Sequence, residues 1–359
     1  MSVQDPIRVL VIDDSAFSRR TIIRMLERSP LVEVVGWARD GEEALRKCLQ
    51  LRPDLVTLDL EMPRMDGFTF LRLLMAKRPT PVLVVSGRSG SEHVFRALEL
   101  GAVDFVAKPT LRAAPELATI QEELIRKVHA TRQLRMDKLR ERISQAPSVV
   151  RSKGGAPPGR LRLVAIGSST GGPAALIQVL SAFSEPPDCA FVVSQHMPEG
   201  FTRGFAARLA ATSPFAAREA GDLDLPEPGT ILVAPGGAHL EFEARAAGVV
   251  ARVAPRGPAD RYAPSVDRMF VSAAKQWGSD LLALVLTGMG DDGAKGAAAV
   301  KRAGGNVIVE SAETAVIFGM PQQTIRAGAV DAVVPLHGMA QLIQSGFADD
   351  AAGRARSGG

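Results

Sequence analysis

Arg8-Val9-Leu10-Val11-Ile12-Asp13-Asp14 is a short aliphatic run that stops abruptly on two aspartates. A run of this length, apolar throughout rather than alternating, reads as a strand buried on both faces of a parallel sheet. The figure recurs downstream. Leu55–Leu58 stops on Asp59, Pro81–Val85 on Ser86-Gly87, and Asp104–Val106 runs out to Lys108-Pro109. A further strand is expected at Leu31–Ala38. Helical spacing fills the gaps at Ala16–Arg28, Gly41–Gln50, Gly67–Lys77 and His93–Leu100. A last helix carries Leu117, Ile120, Leu124 and Val128 three or four residues apart. Five strands alternating with five helices predict a doubly wound parallel sheet.

Such sheets gather ligands at the carboxyl ends of their strands. Asp13, Asp14, Asp59, Ser86 and Lys108 all fall there. Crowded carboxylates repel one another unless a cation joins them, and an all-oxygen set suits Mg2+. With the ion present, one carboxylate can attack a phosphoryl group. Lys108 can pair with that aspartate or its phosphate, and Ser86 can donate to a phosphate oxygen. Singly, each of these residues is as readily a turn or a helix cap; together they argue for an acidic phosphoacceptor pocket. Asp66, in Met65-Asp66-Gly67, reads as a turn residue.

The chain has 359 residues, too many for one typical core. Aromatics make up only 5%, which suits layered α/β packing better than a sandwich. The formal charge of +4 misleads. Residues 126–160 hold ten Lys/Arg against two acids, a local +8 that leaves about −4 for the rest. That concentration argues against the basic face of a nucleic-acid-binding module. Cys48 and Cys189 lack metal-ligand spacing and read as buried free thiols. No apolar run reaches the ~18 residues of a membrane span, and Val9–Ile12 is too short for a signal peptide. The expectation is a cytoplasmic protein with no membrane insertion.

The last helix of the first domain should run on to about Ile143. Residues 145–160 are Ser/Gly/Pro-rich and read as a linker. A second α/β alternation begins at Leu161. Its strands are expected at Leu163–Ile166, Ala190–Ser194, Thr230–Ala234, His239–Glu243, Leu281–Leu286, Asn306–Glu310 and Ala332–Pro335. The expected organisation is a first domain over 1–125, a basic helical and flexible linker over 126–160, a second domain over 161–346 and a disordered tail over 347–359.

Leu163–Pro173 reads strand, glycine turn, helix, with Pro173 in the first helical turn. Gly167-Ser168-Ser169-Thr170-Gly171 has the Gly-x-Ser-x-Gly form of a nucleophile elbow, although an N-cap or a phosphate cradle would look similar. Of five histidines, His93 and His129 read as surface residues on helices, His337 as a loop residue and His239 as a strand residue. His196 directly follows the next strand, Phe191–Ser194, and emerges on the serine's edge. The apolar strand Leu281–Leu286 leads to Asp291 and Asp292. The order Ser…His…Asp differs from that of the α/β-hydrolases. Spacing leaves the two aspartates undecided.

Two resemblances follow. Residues 8–125, through Asp13-Asp14, Leu58-Asp59-Leu60-Glu61-Met62-Pro63, Ser86, Phe105 and Lys108-Pro109, resemble a response-regulator receiver domain. That implies Asp59 as phosphoacceptor, Ser86 and Phe105 as switch residues, and Mg2+ held by Asp13, Asp14, Asp59 and the backbone carbonyl of Glu61. It also implies a cis Lys108–Pro109 peptide. Phe105 lacks the polar tip that many receivers carry there.

Residues 161–346 resemble the chemotaxis protein-glutamate methylesterase (CheB) family. The motifs are Gly167-Ser168-Ser169-Thr170-Gly171-Gly172, Gln195-His196-Met197-Pro198, Phe201–Leu209, Ala234-Pro235-Gly236-Gly237, Pro264-Ser265-Val266-Asp267, Leu286–Gly293 and Phe318-Gly319-Met320-Pro321. The resemblance implies a Rossmann-like hydrolase with Ser169 as nucleophile, His196 as base and Asp292, the residue before Gly293, as acid. Thr170 and Met289 fall at oxyanion and supporting positions, with no cofactor in this domain. It implies methyl-accepting chemoreceptors as substrate, a histidine kinase as phosphodonor, no nucleic acid and a monomer. The receiver would cover the Ser169 edge until phosphorylated. Arg203 and Arg208 could meet acidic receptor helices or simply face solvent. A DNA-binding or purely scaffolding output is the competing expectation.

Overall fold

The computed structural model describes residues 5–87, 91–109, 114–138, 141, 162–246 and 248–344. The chain divides into two units between Ser144 and Gln145; the expected linker and tail lie largely or wholly outside the described residues.

In the first unit, β1 (Ile7–Ile12), β2 (Val32–Ala38), β3 (Leu55–Leu58), β4 (Val82–Ser86) and β5 (Asp104–Ala107) form one parallel sheet in the order β2-β1-β3-β4-β5. The order reverses between β1 and β3, so Asp13 and Asp59 leave the sheet on either side of its switch point. The helices Ala16–Leu26, Gly41–Leu51 and Gly67–Lys77 each start on a side-chain cap. Ser15, Asp40 and Asp66 accept from the backbone N–H groups of Ser18, Glu43 and Thr69. Asp66 is thus a helix cap, in keeping with its reading as a turn residue. One core layer packs Val9, Val11, Ile22, Leu26, Leu83, Val106 and Leu124.

Three expectations fail in this unit. The last helix, Ala114–Ala130, stops well short of Ile143. The Thr131 hydroxyl donates to the Val128 carbonyl at 2.6 Å, a single 3-10 turn spans Thr131–Gln133, and Leu134 is extended. A side chain that competes for helical carbonyls favours such an ending. His129 is half-buried and bonded to Ser29 Oγ at 2.9 Å, so it is not a free surface residue. Ala263–Pro264 is the cis peptide among the described residues, and Lys108–Pro109 keeps the trans form that X–Pro bonds ordinarily favour.

The second unit holds a seven-stranded parallel sheet in the order β14-β13-β12-β6-β7-β9-β8. Its strands are β6 (Arg162–Ser168), β7 (Cys189–Gln195), β8 (Ala216–Glu219), β9 (Thr230–Val233), β12 (Leu281–Val285), β13 (Asn306–Glu310) and β14 (Ala332–Val334). The antiparallel pair β10 (Ala238–Arg245) and β11 (Gly248–Pro255) stands apart from that sheet. Sequence patterning missed β8 and β11. β8 reads Ala-Ala-Arg-Glu at an edge with no buried position, and β11 is only half-covered. The strand at His239 therefore belongs to the hairpin. His337, expected in a loop, lies in the first turn of a helix, Leu336–Gln344. The chain builds β6 to β9 on one side of β6 and then returns to lay β12 on the other. The switch point falls between β6 and β12.

Candidate active site

In the first unit, Asp13 and Asp59 are buried and Asp14 is exposed. One carboxylate oxygen from each lies within 4.8 Å of the others. Lys108 Nζ donates to Asp59 Oδ2 at 2.5 Å and lies 3.3 Å from Asp13 Oδ2. Asp13 is held by the Ser18 hydroxyl (2.6 Å) and the Ser15 N–H (2.9 Å). Burial pushes the Asp59 pKa up to about 6; Lys108 opposes this and the Asp13 charge reinforces it. Lys108 is also raised. Burial disfavours its charge, but it faces two carboxylates, which outweigh that cost. Both shifts can hold at once, because Asp59 sees one cation, one anion and little water. Ser86 is buried at the end of β4. Phe105 is turned inward, edge-on to Phe95, with Lys127 Nζ 5.1 Å from its ring centroid. The Glu61 N–H donates to Asp59 Oδ1 at 3.3 Å, and the Glu61 side chain points to solvent. Gly67 must be glycine: a Cβ there would lie 2.6 Å from the Asp59 carbonyl oxygen.

In the second unit, β6 and β7 end in register, Ser168 opposite Gln195. The next residues, Ser169 and His196, leave the sheet side by side. The Gln195 amide locks that corner, donating to the carbonyls of Ser169 (2.9 Å) and His196 (3.0 Å) and accepting from the Ser168 hydroxyl (2.6 Å). This packing leaves no room at Gly172, where a Cβ would lie 2.1 Å from Gln195 Oε1. Gly171 takes φ +79° and starts the helix Gly172–Ser181 directly behind Ser169. From the other side, the Ser169 N–H donates to the Thr287 carbonyl at 3.1 Å. Thr287 is pinned by buried Glu310, whose Oε2 accepts from its N–H at 2.7 Å.

His196 is buried and its Nε2 lies 2.8 Å from Asp292 Oδ2. Asp292 also accepts from the N–H groups of Val266 (2.8 Å) and Asp267 (2.9 Å) and from the Ser265 hydroxyl (3.0 Å). It sits at the amino end of the helix Val266–Trp277, where four N–H groups lack helical partners. Burial works against its charge, but His196 and those donors prevail and hold its pKa below the ordinary carboxyl value. The arrangement is reciprocal. Asp267, in the first turn of that helix, accepts from Gly293 (2.9 Å) and Gly296 (2.6 Å) at the amino end of the helix Ala294–Arg302. Burial raises the Asp267 pKa, and the Asp292 charge adds to the rise. Asp291 is exposed, 3.4 Å from Arg261. Ser169 Oγ and His196 Nδ1 are both buried and make no hydrogen bond among the described residues.

Thr170 is buried beside Ser169 and Met289 is half-buried beyond Gly288. Arg203 is exposed, 3.9 Å from Glu219, and Arg208 is half-buried. His239 pairs with Asp260 at 2.8 Å, away from the serine strand. Sequence reasoning assigned no role to Gln195, Asp267, Tyr262 or Glu310. The first two lie inside motifs that it quoted, so their polar character beside the Ser169 and Asp292 turns was the available signal.

These two sites define a class: a response regulator whose output unit is an α/β fold with a serine, histidine and aspartate at its switch point. The response regulator receiver domain model matches residues 9–119 and the CheB methylesterase model matches residues 164–343. The chain is 52% identical over 357 residues to protein-glutamate methylesterase/protein-glutamine glutaminase 3 of Geobacter sulfurreducens, covering 94% of this chain and 96% of that one. It is 49% identical over 336 residues to the corresponding protein 1 of Myxococcus xanthus, covering 94% and 96%. The crystal structure of the Thermotoga maritima CheB methylesterase catalytic domain aligns with a TM-score of 0.50 at 38% identity, covering 52% of this chain and 99% of that one. The chain belongs to the CheB methylesterase family, with a receiver domain ahead of the esterase domain. No helix among the described residues is long and apolar enough to cross a membrane.

Proposed function

We propose that this chain hydrolyses glutamate methyl esters, and deamidates glutamines, on chemoreceptors, and that phosphorylation of Asp59 by a histidine kinase switches the activity on. The observation that carries the chemistry is the His196–Asp292 contact beside two orphaned groups, Ser169 Oγ and His196 Nδ1. Asp292 accepts the Nε2–H, which fixes the tautomer and leaves Nδ1 basic. Nδ1 takes the Ser169 proton as Oγ attacks the ester or amide carbon. Nδ1 then returns that proton to the departing methanol or ammonia. A water molecule, deprotonated the same way, releases glutamate from the acyl-enzyme. The start of the helix Gly172–Ser181, with Thr170 and Met289 beside it, supplies the positive end that favours an oxyanion. Asp292 outranks Asp291 because it is buried, capped and within reach of the imidazole.

In the receiver, the donor set of Asp13, Asp14 and Asp59 is all-oxygen and clustered, which fits Mg2+ with the Glu61 carbonyl as a further ligand. A bound ion there would neutralise charge on the transferred phosphoryl group. Lys108 then pairs with the phosphate, and Ser86 and Phe105 are the residues through which phosphorylation biases the unit. Ser169→Ala should abolish methanol release from methylated receptors, and retained release would sink the reading. Asp59→Asn should abolish stimulation by a phosphodonor; undiminished stimulation would sink the switch.

A further inference from the structure

The loop between β11 and the helix Val266–Trp277 carries Tyr262, the only tyrosine in the chain. Its ring lies flat on the His196 imidazole, 4.4 Å between centroids and 8° between planes. Its hydroxyl end closes on Gly290, where a Cβ would lie 2.5 Å from the phenolic oxygen. Tyr262 therefore spans from the histidine to the turn that carries Asp292.

The loop is bolted on both sides of the ring. Asp260 Oδ2 takes His239 Nε2 (2.8 Å), the Gly257 N–H (2.7 Å) and Arg268 Nη1 (3.2 Å). Arg256 holds the Asp260 carbonyl at 3.1 Å, and Gly237 donates to the Ala263 carbonyl at 3.2 Å. Arg261 contacts both the Tyr262 ring (5.1 Å) and Asp291 (3.4 Å).

Among the described residues, the His196 ring has a single hydrogen-bonding partner, Asp292. One bond at Nε2 alone lets the imidazole pivot about that contact, so that the position of Nδ1 relative to Ser169 is not fixed by hydrogen bonding. A flat neighbour on its face removes the pivot. We infer that Tyr262 is the positioning residue of the hydrolase site, fixing the plane of His196 so that Nδ1 stays aimed at Ser169. This rests on the proposed roles of Ser169 and His196.

The test uses the full chain with a small-molecule phosphodonor. It follows methanol release from methylated receptors and the rate at which a fluorophosphonate labels Ser169. Tyr262→Ala should lower kcat and the labelling rate together by about 10- to 100-fold, the order expected for a misaligned base, with KM changed less than about threefold. Tyr262→Phe, which keeps the flat ring, should recover most of both rates. Tyr262→Leu, which fills the space without a planar face, should behave as Tyr262→Ala does and covers the case in which that variant fails to fold. A rise in KM with both rates intact would make Tyr262 a substrate wall and overturn the inference. So would wild-type rates in Tyr262→Ala and Tyr262→Leu, or a Phe variant as slow as Ala. Labelling and methanol release that persist in Ser169→Ala would instead sink the underlying reading.

Discussion

Asp59 should make the receiver unit less stable as the pH rises from acid to neutral, and Asp59→Asn should remove that dependence. The carboxyl is buried beside Asp13, and its pKa rises from 3.8 to about 6. At about 1.4 kcal/mol per unit, that shift corresponds to about 3 kcal/mol. The folded state holds this proton more tightly than the unfolded chain does. The contribution is thus fully present below pH ~4 and is lost as pH rises through about 6. Asparagine does not titrate. The stability of Asp59→Asn relative to wild type should therefore grow by up to about 3 kcal/mol across that window in the absence of Mg2+. Losing the partner of Lys108 adds an offset, but a constant one, because the ammonium stays charged throughout. The two tryptophans, Trp37 and Trp277, fall in different units. Urea unfolding followed by Trp37 fluorescence in a Trp277→Phe background would read the receiver alone. Mg2+ should flatten the wild-type profile, since a bound cation replaces the proton in offsetting the charge. Parallel pH profiles for the two proteins, or a gap that narrows as pH rises, would refute this reasoning.

Asp292→Asn should cut kcat by about 10³- to 10⁴-fold, as loss of the orienting acid does in other triads, while Asp291→Asn should stay within a few-fold of wild type; steady-state methanol release separates them. Asp267→Asn should leave thermal stability at neutral pH unchanged or raised, because the raised pKa marks a buried charge that the fold disfavours and the amide still accepts hydrogen bonds. Asp267→Ala, by contrast, should cost about 1–2 kcal/mol as a lost helix cap, read by thermal unfolding. Gly67→Ala places a methyl group 2.6 Å from the Asp59 carbonyl and 2.7 Å from Leu60 Cα. Both contacts are backbone, so the receiver should lose more than about 2 kcal/mol in denaturant titrations.

Strands that are apolar throughout were legible because burial on both faces leaves no room for polar positions. β3 and β13 fall where the residues predict them, and the others shift only at their ends. β8 and β11 were not legible, since an edge strand and a half-covered hairpin strand carry no such constraint. The end of the helix at Ala130 turned on one threonine hydroxyl, a signal weaker than the apolar spacing that ran past it. In the site, strand ends nominated Ser169 and His196. Asp291 and Asp292 are adjacent in sequence, and what separates them, burial against His196 and the amino end of another helix, is a tertiary fact. Tyr262 was invisible for the same reason: its importance lies in the ring it covers, from 66 positions away.

The switch point between β6 and β12 also sets a timetable for synthesis. Ser169 and His196 meet as soon as β7 pairs with β6, but Asp292 lies 96 residues beyond His196. At about 5–20 residues per second, the ribosome takes roughly 5–20 s to deliver it. On the proposed triad, the nascent chain holds Ser169 and His196 without Asp292 throughout that interval, and the helix Val266–Trp277, whose amino end holds that carboxylate, is itself made late. Esterase competence therefore arrives with one of the last strands to enter the sheet. Truncated translation products ending before β12 would carry Asp13, Asp14, Asp59 and Lys108 but lack Asp292 and so, on the proposed triad, lack hydrolase activity.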